Sequence, residues 1–468
     1  MTSGNPEIQA GASGDSRRFD LLIVVVTAGI LLGLTLSTRG SLNNGVYLPI
    51  QSTNDLSRWA TIYSLGERGT YQIDVTPWRN TIDRVQVNGH FYSSKPPLLP
   101  TVLAGEYLLL KTLSFGRLNF SDHPVAVVMR IILITVNLVP MVVFLLLFSQ
   151  LLGRLTTDPW VRMYTLLAAG LGTYLTAYSV TLNNHTVAAF SMFFALFAAF
   201  LIWQERRREW WLFAAVGFFG AFTTVNELPA AAFLVAVALG LLWKARRETL
   251  LFFLPFAVIP VAAHFGTNYA AVGSLKPAYA DKAAYVFPGS YWKIDPATGR
   301  LRGSKVDPAT GKESIELQKG IDNQYEPWPV YLFHLLLGHH GILSLSPIFL
   351  FSLIGLLRRI RARGDPLKPF ALLAVSLTLL LFVFYIFFAG QRNYGGVCSG
   401  LRWFFWLIPL WLMFLPAGLE GKMKSRWVRG LALAFLLISA ATVFYAAPNP
   451  WTKSWLHELL FQMKWISY

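Results

Sequence analysis

Residues 124–150 read PVAVVMRIILITVNLVPMVVFLLLFSQ, with a single charge, Arg130. About 20 apolar residues in a helix span the hydrocarbon core of a bilayer, so this stretch predicts a transmembrane helix. Working outward, similar runs occupy 20–37, 160–182, 186–203, 210–225, 228–243, 249–266, 341–357, 369–389, 401–418 and 427–447. The chain has 468 residues, 54% hydrophobic and only 14% charged. Soluble domains carry about 25% charged residues. This composition excludes a soluble enzyme, a disordered chain and a fibrous protein, and implies an all-α polytopic membrane protein.

Lysine and arginine number 40 against 24 acidic residues, a formal net charge of +16. Such an excess suggests a nucleic-acid partner until the positions are read. The basic residues fall in alternate loops: Arg154 and Arg162; Arg206 to Arg208; Lys244, Arg246 and Arg247; Arg358 to Lys368; Lys422 to Arg429. Loops at 183–185 and 226–227 carry none, and the loop near 390–402 holds Arg392 and Arg402. Basic loops mark the cytoplasmic side, so the expected partners are membrane lipids and not nucleic acid. The single cysteine, Cys398, excludes an intramolecular disulfide and leaves the redox compartment open.

The same alternation fixes the start of the chain. Residues 1–19 are expected to form a cytoplasmic tail. Residues 20–37 are laid out like a signal peptide, but without a convincing small-x-small cleavage site they are expected to stay as the first helix. If 20–37 runs outward and 124–150 inward, the run at 97–115 does not cross. It contains Pro100, Glu106 and Lys111, and an unpaired charge at mid-bilayer costs several kcal/mol. It is expected as a helix on the outer face. The count becomes about eleven spans, in blocks at 124–266 and 341–447 after the first helix. Two long outer segments result, 38–123 and 267–340. The second contains DPATG at 295–299 and again at 307–311, which predicts two β-turns. The C-terminal piece, 448–468, carries Trp451, Trp455, Leu459, Leu460 and Trp465, the pattern of an interfacial amphipathic helix.

Polar residues gather in the first outer loop: Asp55, Arg58, Glu67, Arg68, Asp74, Arg79, Asp83, Arg84 and Lys95. In N-D-L-S-R-W, residues 54–59, Asp55 and Arg58 share one helix face. That pair is either a proton acceptor held ionised by an arginine or a surface ion pair of small energetic value. In N-G-H-F-Y-S-S-K-P-P-L-L-P, residues 88–100, Asn-Gly predicts a turn and Phe-Tyr an extended strand. Pro96 and Pro97 then fix the backbone beside Lys95. That lysine suits a lipid phosphate, or snorkels at a helix start.

D-x-x-R-W followed by N-G-x-x-Y-x-x-K-P-P-L resembles the first outer loop of GT-C integral-membrane glycosyltransferases. The likeness is to the bacterial protein O-mannosyltransferase and aminoarabinose transferase group. G-H-H-G-I-L-S-L-S-P, residues 338–347, and N-Y-G-G-V-C-S-G-L-R-W, residues 393–403, resemble other segments of that group, as does Arg130 in its position. The resemblance implies transfer of a sugar from a polyprenyl-phosphate donor to a lipid, glycan or protein acceptor on the outer face of a bacterial inner membrane, with inversion. It implies Asp55 as catalytic base or acceptor-orienting group, and Arg58, Lys95 and Arg402 as contacts to the donor phosphate.

The chain departs from the group where a second acidic residue is common, having L-N-N-H at 182–185. Asn183 and Asn184 can bind sugar hydroxyls but cannot act as a base, whereas His185 can. They form either a substrate-binding and catalytic set or a polar cap at a helix junction. Glu227 in the next tight outer turn faces either water or the site. His339 and His340 lack further ligands at metal spacing, so no metal site is expected there and His340 is expected to line the cavity. No cofactor is implied, and dependence on a divalent cation stays open. There is no G-x-x-x-x-G-K-[ST] for a nucleotide. The rival reading is a transporter or lipid-linked sugar flippase, which would show mid-span charges and internal repeats. An inactive scaffold of the same fold is a third.

Overall fold

The computed structural model describes residues 14–466 apart from 44, 122–123, 297–298, 307–312, 316–325 and 390–391. Among these, six helices are long and apolar enough to cross a membrane: Arg17–Ser37, Pro124–Leu155, Asn184–Gln204, Arg246–Val272, Lys368–Phe388 and Arg426–Ala446. Two shorter apolar helices, Trp210–Asn226 and Leu228–Lys244, follow the third. The Asn184–Gln204 helix is 89% buried along its apolar window, against 44% or less for the other five, and it packs against Trp210–Asn226, the 402–412 segment and the second half of Pro124–Leu155.

The expected count of about eleven spans is not met by unbroken helices. The run at 160–182 divides into Pro159–Leu171 and Tyr174–Tyr178, parted at Gly172. The run at 341–357 divides at Pro347 into Ile342–Leu345 and Phe349–Arg361. The run at 401–418 is a 3-10 turn, Arg402–Leu407, then Ile408–Leu412 and Leu415–Leu419. Pro409 and Pro416 each remove a backbone donor and clash with the preceding turn. Every residue from Phe404 to Leu419 is buried, so this broken segment is shielded by its neighbours.

Side-chain contacts sort the connections into two groups. The basic loops meet one another. Arg154 Nε lies 2.5 Å from Glu205, Arg208 donates to the Lys244 carbonyl at 3.4 Å, and Arg359 lies 3.6 Å from Glu420. Arg358 donates to the Ala417 carbonyl at 2.6 Å. The segments read as outer meet one another at the other end, as described below.

In the first outer loop, a short hairpin, Leu42–Asn43 with Val46–Tyr47, leads into helix Thr53–Arg68. The expected Asn-Gly turn joins strands Arg84–Val87 and His90–Ser93, with Asn88 and Gly89 at φ +52° and +85°. That pair of left-handed residues is the hairpin geometry Asn-Gly favours. Helix Leu98–Leu113 then lies against Thr53–Arg68. Its charges are partnered: Lys111 Nζ is 2.8 Å from Glu67, Tyr107 donates to Glu67, and Glu106 accepts from Thr135 at 2.5 Å. In the second outer segment, strands Trp292–Ile294, Leu301–Val306 and Glu313–Ile315 form an antiparallel sheet. Of the first DPATG, the end residues are described, and Gly299 N donates to the Asp295 carbonyl at 2.8 Å. The second, 307–311, lies outside the described residues. The C-terminal piece contains helix Trp455–Gln462, with Trp465 exposed and His457 buried.

The two helices of the first loop approach closest at Gly66, where an added Cβ would fall 2.3 Å from the buried Tyr107 ring. Gly66→Ala is therefore expected to destabilise the detergent-solubilised protein by about 1–3 kcal/mol, the usual cost of overpacking. Gly29, whose Cβ would meet nothing within 4 Å, is the control. Equal melting temperatures for Gly66→Ala and Gly29→Ala would refute the close packing.

Candidate functional site

A cavity of about 540 Å³ lies where the outer segments converge. Its walls come from Ser52 to Asn54, Asp83 and Lys95 of the first loop, Tyr285, Trp292 and Leu301 of the second, Asn393, Gly395 to Val397, Arg402 and Trp403, and Trp451 of the tail. Two cations, one carboxylate and several aromatic rings thus share one open cavity.

Asp55 is positioned by helix capping. It is the third residue of the Thr53–Arg68 helix, and Ser52 and Asp55 form a reciprocal capping box. Oδ1 accepts from Ser52 N at 2.8 Å, Ser52 Oγ at 3.0 Å and Leu56 N at 2.9 Å, while Oδ2 accepts from Gln51 N and Thr181 Oγ1, both at 2.9 Å. The side chain is fully buried and absent from the cavity wall. Burial raises its pKa, against the hydrogen bonds from Gln51, Ser52 and Thr181.

Asp55 and Arg58 do not pair. Arg58 turns to Asn54, donating to its carbonyl at 3.0 Å and to its side-chain oxygen, and to Asn184 Oδ1 at 2.5 Å. Arg58 lies behind Asn54, which lines the cavity. Burial and the nearby Arg402 lower its pKa to about 10, leaving it protonated at neutral pH.

Lys95 faces the cavity, with Nζ 3.1 Å from Asp83 Oδ2. Burial lowers the lysine pKa against the pull of Asp83. For Asp83, burial acts upward, but Lys95 and Arg58 prevail and hold the carboxyl below its usual range.

Arg402 also lines the cavity. It donates to the Gly395 carbonyl through Nε at 2.9 Å and Nη2 at 2.6 Å, and stands over the Trp451 ring with 5.2 Å to the centroid. Gly395 has φ +91°, and a Cβ there would lie 2.8 Å from Arg402 Nε. Left-handed backbone and close approach together explain a glycine at this point.

The remaining donor of Arg402, Nη1, reaches His185 Nε2 at 2.6 Å. A guanidinium only donates, so Nε2 accepts and a neutral imidazole carries its proton on Nδ1. Nδ1 then donates to Glu227 Oε1. Asn184 Nδ2 donates to the same oxygen and to the Asn226 carbonyl, both at 2.8 Å. Arg58, Asn184, Glu227, His185 and Arg402 are thus one continuous chain of hydrogen bonds. Burial lifts the Glu227 pKa to about 8, with Arg402 and Arg58 pulling the other way.

Asn183 caps the Asn184–Gln204 helix, accepting from Thr186 N at 2.9 Å and donating to the Tyr178 and Thr181 carbonyls. The turn is also held from the Pro124–Leu155 helix. There Asn137, in the π-turn Ile134–Leu138, donates to the Ser179 and Thr181 carbonyls at 3.1 and 3.0 Å. Asn183, Asn184, His185 and Glu227 therefore brace the cavity wall from behind and do not line it.

His340 does not line the cavity either. It is buried against Tyr394, ring centroids 4.8 Å apart, in a cluster with His334, His339 and His457. Cys398 Sγ is 4.0 Å from its Nε2. Among the described residues no group of three or more His, Cys, Asp or Glu is arranged to hold a metal ion.

Several wall residues were not singled out by the sequence. Asp83 stood among the charges of the first loop without distinguishing spacing. The sequence marks Trp451 only as part of an amphipathic tail. Tyr285 and Trp292 carry no local signal, since only tertiary contact brings them to the wall, and Trp403 is marked only as the last residue of the 393–403 segment. No protein-family model matches the chain, and no curated protein matches it.

The histidine cluster makes stability depend on pH. Burial, with His457 adding to it, lowers His334 to about 4, and burial with the same neighbour first among the charges lowers His340 to about 3. Arg402 also opposes a charge on His340, while Glu458 stands 3.8 Å from His457. An unfolded histidine binds a proton near pH 6.5 and the folded cluster does not, so stability is lost as pH falls from about 6.5 towards 4. The melting temperature is expected to drop over that interval. His340→Phe, which keeps a ring against Tyr394, is expected to flatten the slope. An unchanged slope would show that the cluster does not govern it.

Proposed function

We propose that this protein is a membrane glycosyltransferase of the GT-C kind. It moves a sugar from a polyprenyl-phosphate donor to a hydroxyl-bearing or amine-bearing lipid, glycan or protein on the outer face of a bacterial inner membrane. The observation that carries the reading is the cavity itself. Lys95 and Arg402 face into it, Arg58 lies behind Asn54, and every wall residue but Trp403, at the start of the 401–418 run, belongs to a segment read independently as outer. Aromatic rings suit the faces of a sugar, and fixed cations suit a phosphate that gains charge as the glycosidic bond breaks.

In this reading about eleven apolar passes carry the chain, the shorter and broken ones included, with the N-terminus inside. The donor phosphate binds Lys95 and Arg402, with Arg58 adding field from the second layer. His185, fixed by Glu227, holds Arg402 in place. The acceptor attacks the anomeric carbon from the opposite face, so configuration inverts. The motif resemblance in the first loop supports the same chemistry, and the aromatic cavity at one end supports an interfacial enzyme over alternating access.

The decisive experiment compares lipid-linked glycans in membranes with and without the protein. A polyprenyl-phosphate sugar is expected to accumulate without it and to be consumed by purified protein in vesicles. Lys95→Ala is expected to weaken binding of polyprenyl phosphate at least tenfold, about 1.4 kcal/mol. A change only in which leaflet holds the lipid-linked sugar, with no product formed, would replace this reading with a flippase.

A further inference from the structure

Resting on that reading, we infer that Asp83 is the residue that takes the acceptor's proton, and that its ion pair with Lys95 links proton transfer to departure of the phosphate. Two carboxylates are close enough to be considered, and their surroundings differ. Both oxygens of Asp55 are consumed by five donors, and the residue does not reach the cavity. Asp83 lines the cavity, with its side chain 17% exposed. Its Oδ2 accepts from Thr53 Oγ1 at 3.3 Å and pairs with Lys95. Its Oδ1 has no hydrogen-bond partner among the described residues.

The backbone of Asp83 is held firmly enough to aim that oxygen. Its carbonyl accepts from Ser57 Oγ at 2.6 Å and from Ser94 N at 3.0 Å, and its amide donates to Thr81 Oγ1 at 3.2 Å. These bonds tie the Arg84–Ser93 hairpin to the capped helix. Lys95 follows the hairpin, and Ser93 Oγ accepts from its amide at 3.1 Å. Acid and base are thus anchored to one another through both backbone and side chain.

The charge balance gives the pairing a purpose. The acceptor oxygen forms a bond to the anomeric carbon as the bond from that carbon to the phosphate oxygen breaks, and the bonding electrons leave with the phosphate. The acceptor's proton passes to Asp83 Oδ1. Asp83 becomes neutral as the phosphate gains a second negative charge. Lys95, which had balanced Asp83, is released to balance the phosphate at the same moment. No net charge is created in a partly buried site, where it would be costly. Asp55 then acts as a positioning residue, locking Ser52 to Asn54 in the cavity wall.

The test is Asp83→Asn in the vesicle transfer assay, with binding of sugar-free polyprenyl phosphate measured in parallel. Transfer at saturating donor is expected to fall at least 100-fold, within the usual contribution of a general base. Binding of polyprenyl phosphate is expected to hold or tighten, because Lys95 is freed from its partner. A merely structural role would weaken both together. Asp83→Glu is expected to recover part of the rate. Should Asp83→Asn not fold, the acid limb of the kcat profile is read in Lys95→Gln. Without the ammonium Asp83 holds its proton more tightly, so the limb is expected to move to higher pH. Transfer by Asp83→Asn at the wild-type rate, or an acid limb unmoved in Lys95→Gln, would overturn the inference and leave the transferase reading intact. Failure of the wild-type protein to transfer sugar would remove that reading and this inference with it.

Discussion

Lys95, Arg58 and Arg402 crowd one small region, and the architecture around them is organised to make that tolerable. The cations oppose one another's charge, Arg402 acting on Arg58 and both arginines on Lys95. Each cation has its own compensation. Lys95 has Asp83, Arg58 has the Asn54 and Asn184 oxygens, and Arg402 has the Gly395 carbonyl and His185. Glu227 Oε1 accepts from both Asn184 and His185 and so closes the chain that joins the two arginines. The turn 179–186 must be placed accurately for this to work. Asn183, Asn137 and Thr181 each give hydrogen bonds to doing so.

Parts of this were legible in the sequence because their causes are local. Apolar length, basic loop charge and the Asn-Gly turn each depend on a few neighbouring residues. The doubtful run at 97–115 was also legible, since Pro100, Glu106 and Lys111 conflict with a lipid-facing span. The structure answers that conflict by pairing Lys111 with Glu67 and Glu106 with Thr135. Ser52 and Asp55 have capping-box spacing, yet a carboxylate three residues before an arginine on a helix face also fits an ion pair. Only the long-range bond from Thr181 and the turning of Arg58 to Asn184 separate the two.

The rest was not legible because it is tertiary. Nothing in the neighbourhood of Asp83 marks it above Asp74 or Glu67; it matters because the hairpin brings it to Lys95. The residues of L-N-N-H are near the site but behind its wall, a distinction that spacing cannot express. His340, expected in the wall, is instead stacked on Tyr394 in a buried cluster. Broken helices were hidden for a related reason. A hydrophobic run reads alike whether it crosses lipid or fills the interior, and the prolines within it gain meaning only once burial is known.

The segment from Phe404 to Leu419 has a consequence for biogenesis. Its backbone is interrupted at Pro409 and Pro416, and lipid offers no partner for open carbonyl and amide groups. Such a segment is a poor substrate for lateral release into the bilayer alone. It would be retained near the insertion machinery until the helices that enclose it, Asn184–Gln204 and Phe349–Arg361, are already in place beside it. Since both precede it in the chain, the order of synthesis supplies the required surroundings, and the cavity wall carried by Arg402 and Trp403 is completed among the last features of the molecule to form.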